Sequence, residues 1–350
     1  MDLLDMTIMN VALPTLARSF AATATVEWVV LGYLISLAIF IPVSGWAGDR
    51  FGTKRVFTLA LAIFAASSLL GGFAWNIGSL IAFRVLQGIG GGMLTPVGTT
   101  MLFRAFPPEE RQANPGRLDL PGFVLSASGL ASVVYALAEA GSRGFGDLHV
   151  ILLGLVGIAL LLLLAHVELR TDQPMINMRL FKHQLFTGSN LFQFLGYAGF
   201  VGALYLLPLL LQSAMGFTPL QAGLATFPQA VGVILTVRPA ARLYKRIGAL
   251  RMIVTGMVGI TATTAAFLWV DASTSLGWIA LIMLLRGFPW AFIFVSLQTT
   301  AFAPIRPEDM GRASAIFNSL RQVSASFGVA LLATVLARQL AYRGRSLVTN

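Results

Sequence analysis

Long, uninterrupted apolar runs constrain this chain more than any other feature of its sequence. One run, from Ile151 to Leu164, contains no charged or strongly polar side chain. Runs this continuous are typical of membrane-spanning helices, whereas the strands of membrane barrels alternate apolar and polar residues. The chain is 57% hydrophobic and 11% charged, whereas soluble domains carry about 25% charged residues. We therefore predict an all-α polytopic membrane protein.

About eleven segments are apolar enough to form helices. They lie near residues 4–20, 26–47, 56–75, 78–103, 120–139, 148–166, 186–211, 219–240, 250–270, 276–302 and 311–337. The first is shorter than the roughly 20 residues that a span needs. The spans are predicted to divide into a remnant of an N-terminal bundle (1–112), a linker with two central helices (113–185) and a C-terminal bundle (186–350).

Basic residues are distributed unevenly among the predicted connections. If the connection that holds Asp49 faces the cytoplasm, 16 of the 24 Lys and Arg residues fall in cytoplasmic connections and only two in outer ones. This asymmetry predicts that the N-terminus and the Asp49 connection are cytoplasmic, in a plasma or inner membrane. The net charge of +10 is explained by this anchoring to the lipid bilayer, so no nucleic-acid partner is predicted.

One predicted connection is unusually rich in charge and glycine. Between two apolar runs lies the segment Gly45–Arg55, which we expect to form a tight loop in water at one membrane face. Its notable members are Gly45, Asp49, Arg50, Gly52, Lys54 and Arg55.

Asp5, Arg84, Arg286 and Arg321 are charged residues inside predicted spans, where an ion at the centre costs about 2.5–3.5 kcal/mol or more. Asp5 can carry a proton, because desolvation favours the neutral acid, or it can sit at the water interface near the chain start. Arg84 can be the counter-charge of such an acid, or it can extend to the outer interface. Arg286 and Arg321 can line a polar pathway or satisfy carbonyls near helix ends.

Enzyme, metal and cofactor signatures are missing from the sequence. There is no cysteine, and the three histidines lie apart without metal-ligand spacing. Neither His-Glu-x-x-His nor Gly-x-Ser-x-Gly occurs. The sequence therefore predicts no enzyme, no metal site and no cofactor.

Several motifs together resemble the major facilitator superfamily. Gly45–Arg55 is similar to that family's signature between its second and third helices, and Arg84 with Gln87 and Gly88 is similar to its fourth-helix motif. The stretch from Leu4 to Pro14, around Asp5, resembles the first helix of the fourteen-helix drug:proton antiporters. Two late segments resemble the same group: Leu180-Phe181-Lys182, and Gly311–Ser314 with Arg321 and Gln322.

The resemblance implies a fold of the major facilitator type and proton-driven export of drug-like, often amphipathic small molecules. It assigns Asp5 to proton coupling or cation recognition and Arg84 to proton transfer. Asp49 is expected to act as a conformational latch that braces the N-terminus of a later helix near Met310–Ser314.

Relative to a fourteen-helix relative, helices 5 and 6, helix 14 and the start of helix 1 are expected to be missing. The chain passes from Gln112 through Ala113-Asn114-Pro115 to a segment that resembles the entry to helix 7. Two alternatives to drug export stay open at this point. One is a transport-inactive remnant that acts at most as a binding or assembly protein, and the other is an exporter of one dedicated metabolite.

Overall fold

The computed structural model describes residues 27–104, 119–171, 174–213, 215–271 and 273–348, and within these ranges the regular elements are all helices. The α-helices are α1 (Glu27–Phe51), α2 (Thr53–Gly72), α3 (Ile77–Arg104), α4 (Leu120–Arg143), α5 (Leu148–Arg170), α6 (Gln184–Ser213), α7 (Pro219–Thr226), α8 (Pro228–Ala265), α9 (Leu276–Phe302) and α10 (Met310–Val348). Three short 3-10 helices lie at Met178–Lys182, Ala266–Trp269 and Pro307–Asp309. The predicted all-α class is confirmed.

Nine segments in the described ranges are long and apolar enough to cross a membrane. The longest, Pro219–Trp269, has 51 residues. Its helix α8 is broken at Gly248, whose φ of 78° and ψ of 171° are not helical. This break separates the two spans that the sequence predicts at 219–240 and 250–270. The predicted first span, with Asp5, lies outside the described residues.

Two predicted boundaries are wrong. The expected loop at Gly45–Arg55 is helical on both sides, because α1 continues to Phe51 and α2 begins at Thr53. Gly52 alone joins the two helices, with a φ of 88° in the region that favours glycine. The last helix is also longer than predicted. It has 39 residues and so extends roughly 58 Å at the helical rise of about 1.5 Å per residue.

The chain divides into two compact units. The α1–α5 unit contains the described parts of 27–182, residues 194–202 of α6, and residues 305–348 with α10. The α8–α9 unit contains residues 183–193 and 203–213 of α6 together with α7, α8 and α9.

In the α1–α5 unit, α3 packs between α1 and α2, and α4 packs against α1, α5 and α10. Trp28 of α1 stacks on Tyr135 of α4 with ring centroids 5.8 Å apart. Thr334 of α10 donates a hydrogen bond from its Oγ1 to the carbonyl of Ala140 at 2.8 Å. The hairpin formed by α4 and α5 therefore covers part of α1 and of α10.

In the α8–α9 unit, the two helices cross closely at Gly232 and Gly287. A Cβ on Gly232 would lie 3.1 Å from the Cα of Gly287. The outer faces of both units carry exposed leucines, such as Leu152 and Leu155 of α5 and Leu235 of α8. Such faces suit contact with lipid tails.

Candidate functional site

The most distinctive polar group of the α1–α5 unit is centred on Arg84 of α3. Only 4% of Arg84 is exposed, and its Nη1 donates a hydrogen bond to Oε1 of Gln87 at 2.6 Å. Its guanidinium carbon lies 5.1 Å from the centroid of the Tyr33 ring, on α1. Arginine stays charged in proteins, and a cation over an aromatic face is stabilised by the ring quadrupole. The side chains of Gln87 and Tyr33 therefore contact a positive charge that is buried between two apolar helices.

Gly88 explains why α1 and α3 come close enough for this contact. A Cβ at position 88 would collide with Oγ of Ser36 and would lie 2.5 Å from the carbonyl oxygen of Tyr33. Gln87, one residue earlier, is 2% exposed. The glycine that the sequence places in the fourth-helix motif thus brings Tyr33 next to Arg84.

The second predicted group, around Asp49, meets the start of α10. A Cβ on Gly45 would lie 2.8 Å from the carbonyl oxygen of Gly311, so the two helices touch through their backbones. A Cβ on Gly311 would lie 3.5 Å from Oδ2 of Asp49. Three residues on, Ser314 donates from its Oγ to the carbonyl of Pro96 on α3 at 2.9 Å. An acid near the first turn of a helix is favoured by the helix dipole.

The bases of the same segment lie at the surface. Arg50, Lys54 and Arg55 are all exposed, on either side of Gly52. The structure therefore brings Gly45 and Asp49 to α10 and leaves these three bases at the surface of the unit.

The two other arginines lie in different units. Arg321 of α10 sits over the ring of Tyr197 on α6, with 5.6 Å between its guanidinium carbon and the ring centroid, inside the α1–α5 unit. Arg286 of α9 belongs to the α8–α9 unit, is 6% exposed, and its Nε has no hydrogen-bond partner among the described residues.

Two aromatic residues of these groups were not singled out from the sequence. Tyr33 and Tyr197 stand under the two arginines, but each is an ordinary residue of an apolar run. The sequence carries no local signal for them, because only the packing and rotation of the helices decide which arginine each ring faces. In the described ranges, no group of three or more His, Asp or Glu residues is placed to hold a metal ion.

The model of the Major Facilitator Superfamily matches residues 1–329. This chain belongs to that superfamily. It is therefore a multi-pass membrane protein of a transporter family, as the apolar helices and the buried Arg84 group also indicate.

Relatives within the superfamily cover nearly the whole chain. "Multidrug resistance protein B homolog" of Mycobacterium tuberculosis (strain CDC 1551 / Oshkosh) is 29% identical over 398 residues, with 96% of this chain and 74% of the relative covered. "Uncharacterized MFS-type transporter YhcA" of Bacillus subtilis is 26% identical over 391 residues, with 95% and 74% covered. Among solved structures, the human organic anion transporter MFSD10 (TETRAN) matches with a TM-score of 0.60 at 17% identity, with 95% of this chain and 90% of that chain covered.

Proposed function

We propose that the chain is a proton-coupled exporter of drug-like or amphipathic small molecules in a plasma or inner membrane. The observation that carries this proposal is the buried Arg84 group. A permanent cation enclosed between α1 and α3 is costly in an apolar bundle. A proton carrier in the predicted first span would give this cation a function. Asp5 is our proposed carrier, and Arg84 is proposed to take part in proton transfer.

The substrate class rests on the relatives. The Mycobacterium tuberculosis relative is named for multidrug resistance, and it aligns with 96% of this chain. The orientation in the membrane rests on the basic residues, whose distribution favours a cytoplasmic N-terminus and a cytoplasmic Asp49 segment. In the proposed export, substrate leaves the cytoplasm while protons enter.

We assign Asp49 a conformational role. Its approach to Gly311, together with the backbone contact between Gly45 and Gly311, suits a contact that forms at one stage of the transport cycle and opens at another. Arg286 and Arg321 are proposed to line the substrate pathway.

The alternative of a transport-inactive remnant has one observation in its favour. The alignments to both relatives run over more residues than the 350 of this chain, so the relatives contain internal residues that this chain lacks. This is consistent with the loss of a helix pair. Against it, the α4–α5 hairpin packs on α1 and supplies cover to that helix. We therefore favour the transporter. Export of one dedicated metabolite would use the same groups.

Proton flux in everted membrane vesicles tests the proposal. Respiration acidifies the vesicle lumen, and addition of a substrate cation such as ethidium should release protons in vesicles that contain the wild-type chain. Asp5→Asn should abolish this release while the protein stays folded and present in equal amount. A folded wild-type chain that binds ethidium without any proton release would support the remnant instead.

Asp271→Asn is the matched control. Asp271 is exposed outside the spans, and the hydroxyl and amide of Ser273, with the hydroxyl of Thr274, keep its pKa below the ordinary value. An acid that is permanently ionised in water cannot carry a proton across the membrane, so this variant should retain full flux. Equal flux in Asp5→Asn and Asp271→Asn would refute the role of Asp5.

A further inference from the structure

A pair of carboxyl groups lies where α4 begins and α5 ends. Glu168, in the last turn of α5, is only 1% exposed. Asp119 immediately precedes α4 and caps it, since its Oδ1 accepts a hydrogen bond from the amide of Gly122 at 3.0 Å. A Cβ on Gly122 would collide with a carboxyl oxygen of each acid, Oδ2 of Asp119 and Oε1 of Glu168, so these two oxygens lie within about 5 Å of each other.

The hydrogen bonds of the pair leave oxygen atoms unsatisfied. Oε1 of Glu168 accepts from the amide of Ile176 at 3.2 Å. Oε2 of Glu168 and Oδ2 of Asp119 are both enclosed, and neither finds a donor among the described residues. An ionised, buried carboxylate without a donor loses its hydration without compensation.

The positive charges nearby do not remove this problem. One nearby cation is Arg312 of α10, whose charge acts on Glu168. Its Nη1 is paired with Oδ1 of Asp309 at 3.3 Å. Arg179, on the segment after α5, uses its Nη2 to donate to the carbonyl of Leu169 at 3.2 Å, so it points to the backbone instead of to the acids.

We propose that Asp119 and Glu168 form a proton-binding site, in which one proton is shared between the two carboxyl groups. Two carboxylates this close cannot both remain ionised without strong repulsion. A protonated acid supplies the missing donor: the hydroxyl of one acid donates to the oxygen of the other, and the pair carries one negative charge. Such a proton belongs to the pair and to neither residue alone.

The site joins several elements, so its proton has a structural consequence. Glu168 holds the amide of Ile176, and the neighbouring Asn177 donates from its Nδ2 to Oδ1 of Asp309 at 3.2 Å, just before α10. Loss of the shared proton would set two negative charges against each other between the start of α4, the end of α5 and the segment that leads to α6. The pair would bind its proton whether or not the chain transports a substrate.

Infrared difference spectroscopy of the purified chain at neutral pH tests the site. The wild-type spectrum minus that of Glu168→Gln should show the C=O stretch of a protonated carboxylic acid. Asp119→Asn, which keeps a good capping residue at this position, should remove the same band. The control Glu139→Gln changes an acid that is already paired with Arg143, and it should leave the band in place. Absence of the band from both differences would overturn the proposal.

Thermal unfolding supplies a second readout, and its first part uses the wild type alone. A proton held in the native state and released on unfolding makes stability fall as pH rises, with the unfolding equilibrium constant changing up to about tenfold per pH unit. We expect the melting temperature of the wild type to fall between mildly acidic and mildly basic pH, and Glu168→Gln to flatten this dependence. A melting temperature that responds to sodium concentration and not to pH would assign the pair to a metal cation and overturn the proposal.

Discussion

Replacement of Gly88 by alanine tests the contact that brings Tyr33 next to Arg84. The new Cβ would collide with Oγ of Ser36 and would lie 2.5 Å from the carbonyl oxygen of Tyr33 and 3.2 Å from the amide nitrogen of Leu37. Two of these three atoms belong to the backbone of α1, so they cannot rotate away. The helices must separate, and overpacking of this kind costs about 1–3 kcal/mol.

The matched control is Gly154→Ala in α5, where a Cβ would have no neighbour within 4 Å. Alanine is favoured over glycine inside a helix by roughly 0.5–1 kcal/mol, so this variant should be as stable as the wild type or more so. Thermal unfolding in detergent compares the three proteins. Adding Ser36→Ala to Gly88→Ala should restore only part of the lost stability, because the carbonyl of Tyr33 remains in place. If Gly88→Ala and Gly154→Ala have the same melting temperature, α1 and α3 do not pack as closely as described.

Three further outcomes follow from the α1–α5 unit. Gly52→Val should lower the melting temperature, because its φ of 88° is strained for a β-branched residue. Gly45→Leu should abolish ethidium-driven proton flux while leaving ethidium binding intact, because a large side chain cannot approach Gly311; normal flux would contradict a role for this contact. Thr334→Val should cost about 0.5–1.5 kcal/mol in unfolding by loss of the hydroxyl that Ala140 and Ala330 share through their carbonyls, and an unchanged melting temperature would contradict that estimate.

The sequence predicted the elements of this fold better than their contacts. Apolar runs are a property of consecutive residues, so the helices from α1 to α10 largely follow from them, and Gly248 divides α8 where two spans were expected. The predicted turn around Gly52 is too long. Its charged residues indicate a loop in the sequence, but they lie in the ends of two helices. Charge alone does not end a helix.

The same difference between local pattern and tertiary contact holds for the site residues. Arg84 and Gln87 are three residues apart on one helix, so their proximity follows from helical periodicity. Tyr33 and the arginine that it faces lie on different helices, and only the rotation of those helices decides the pairing. Asp119 and Glu168 are far apart in the sequence and become neighbours through the hairpin of α4 and α5. Such a pairing has no local sequence signal.

Reconstitution of the purified chain in liposomes tests the central claim most directly. With the lumen made acidic, ethidium should accumulate inside liposomes that contain the wild-type chain, and this accumulation should be accompanied by alkalinisation of the lumen. Arg84→Gln should lose both signals, while Arg238→Gln, which changes an exposed arginine of α8, should retain them. Accumulation without proton movement, or equal activity of Arg84→Gln and the wild type, would contradict proton-coupled export through the Arg84 group.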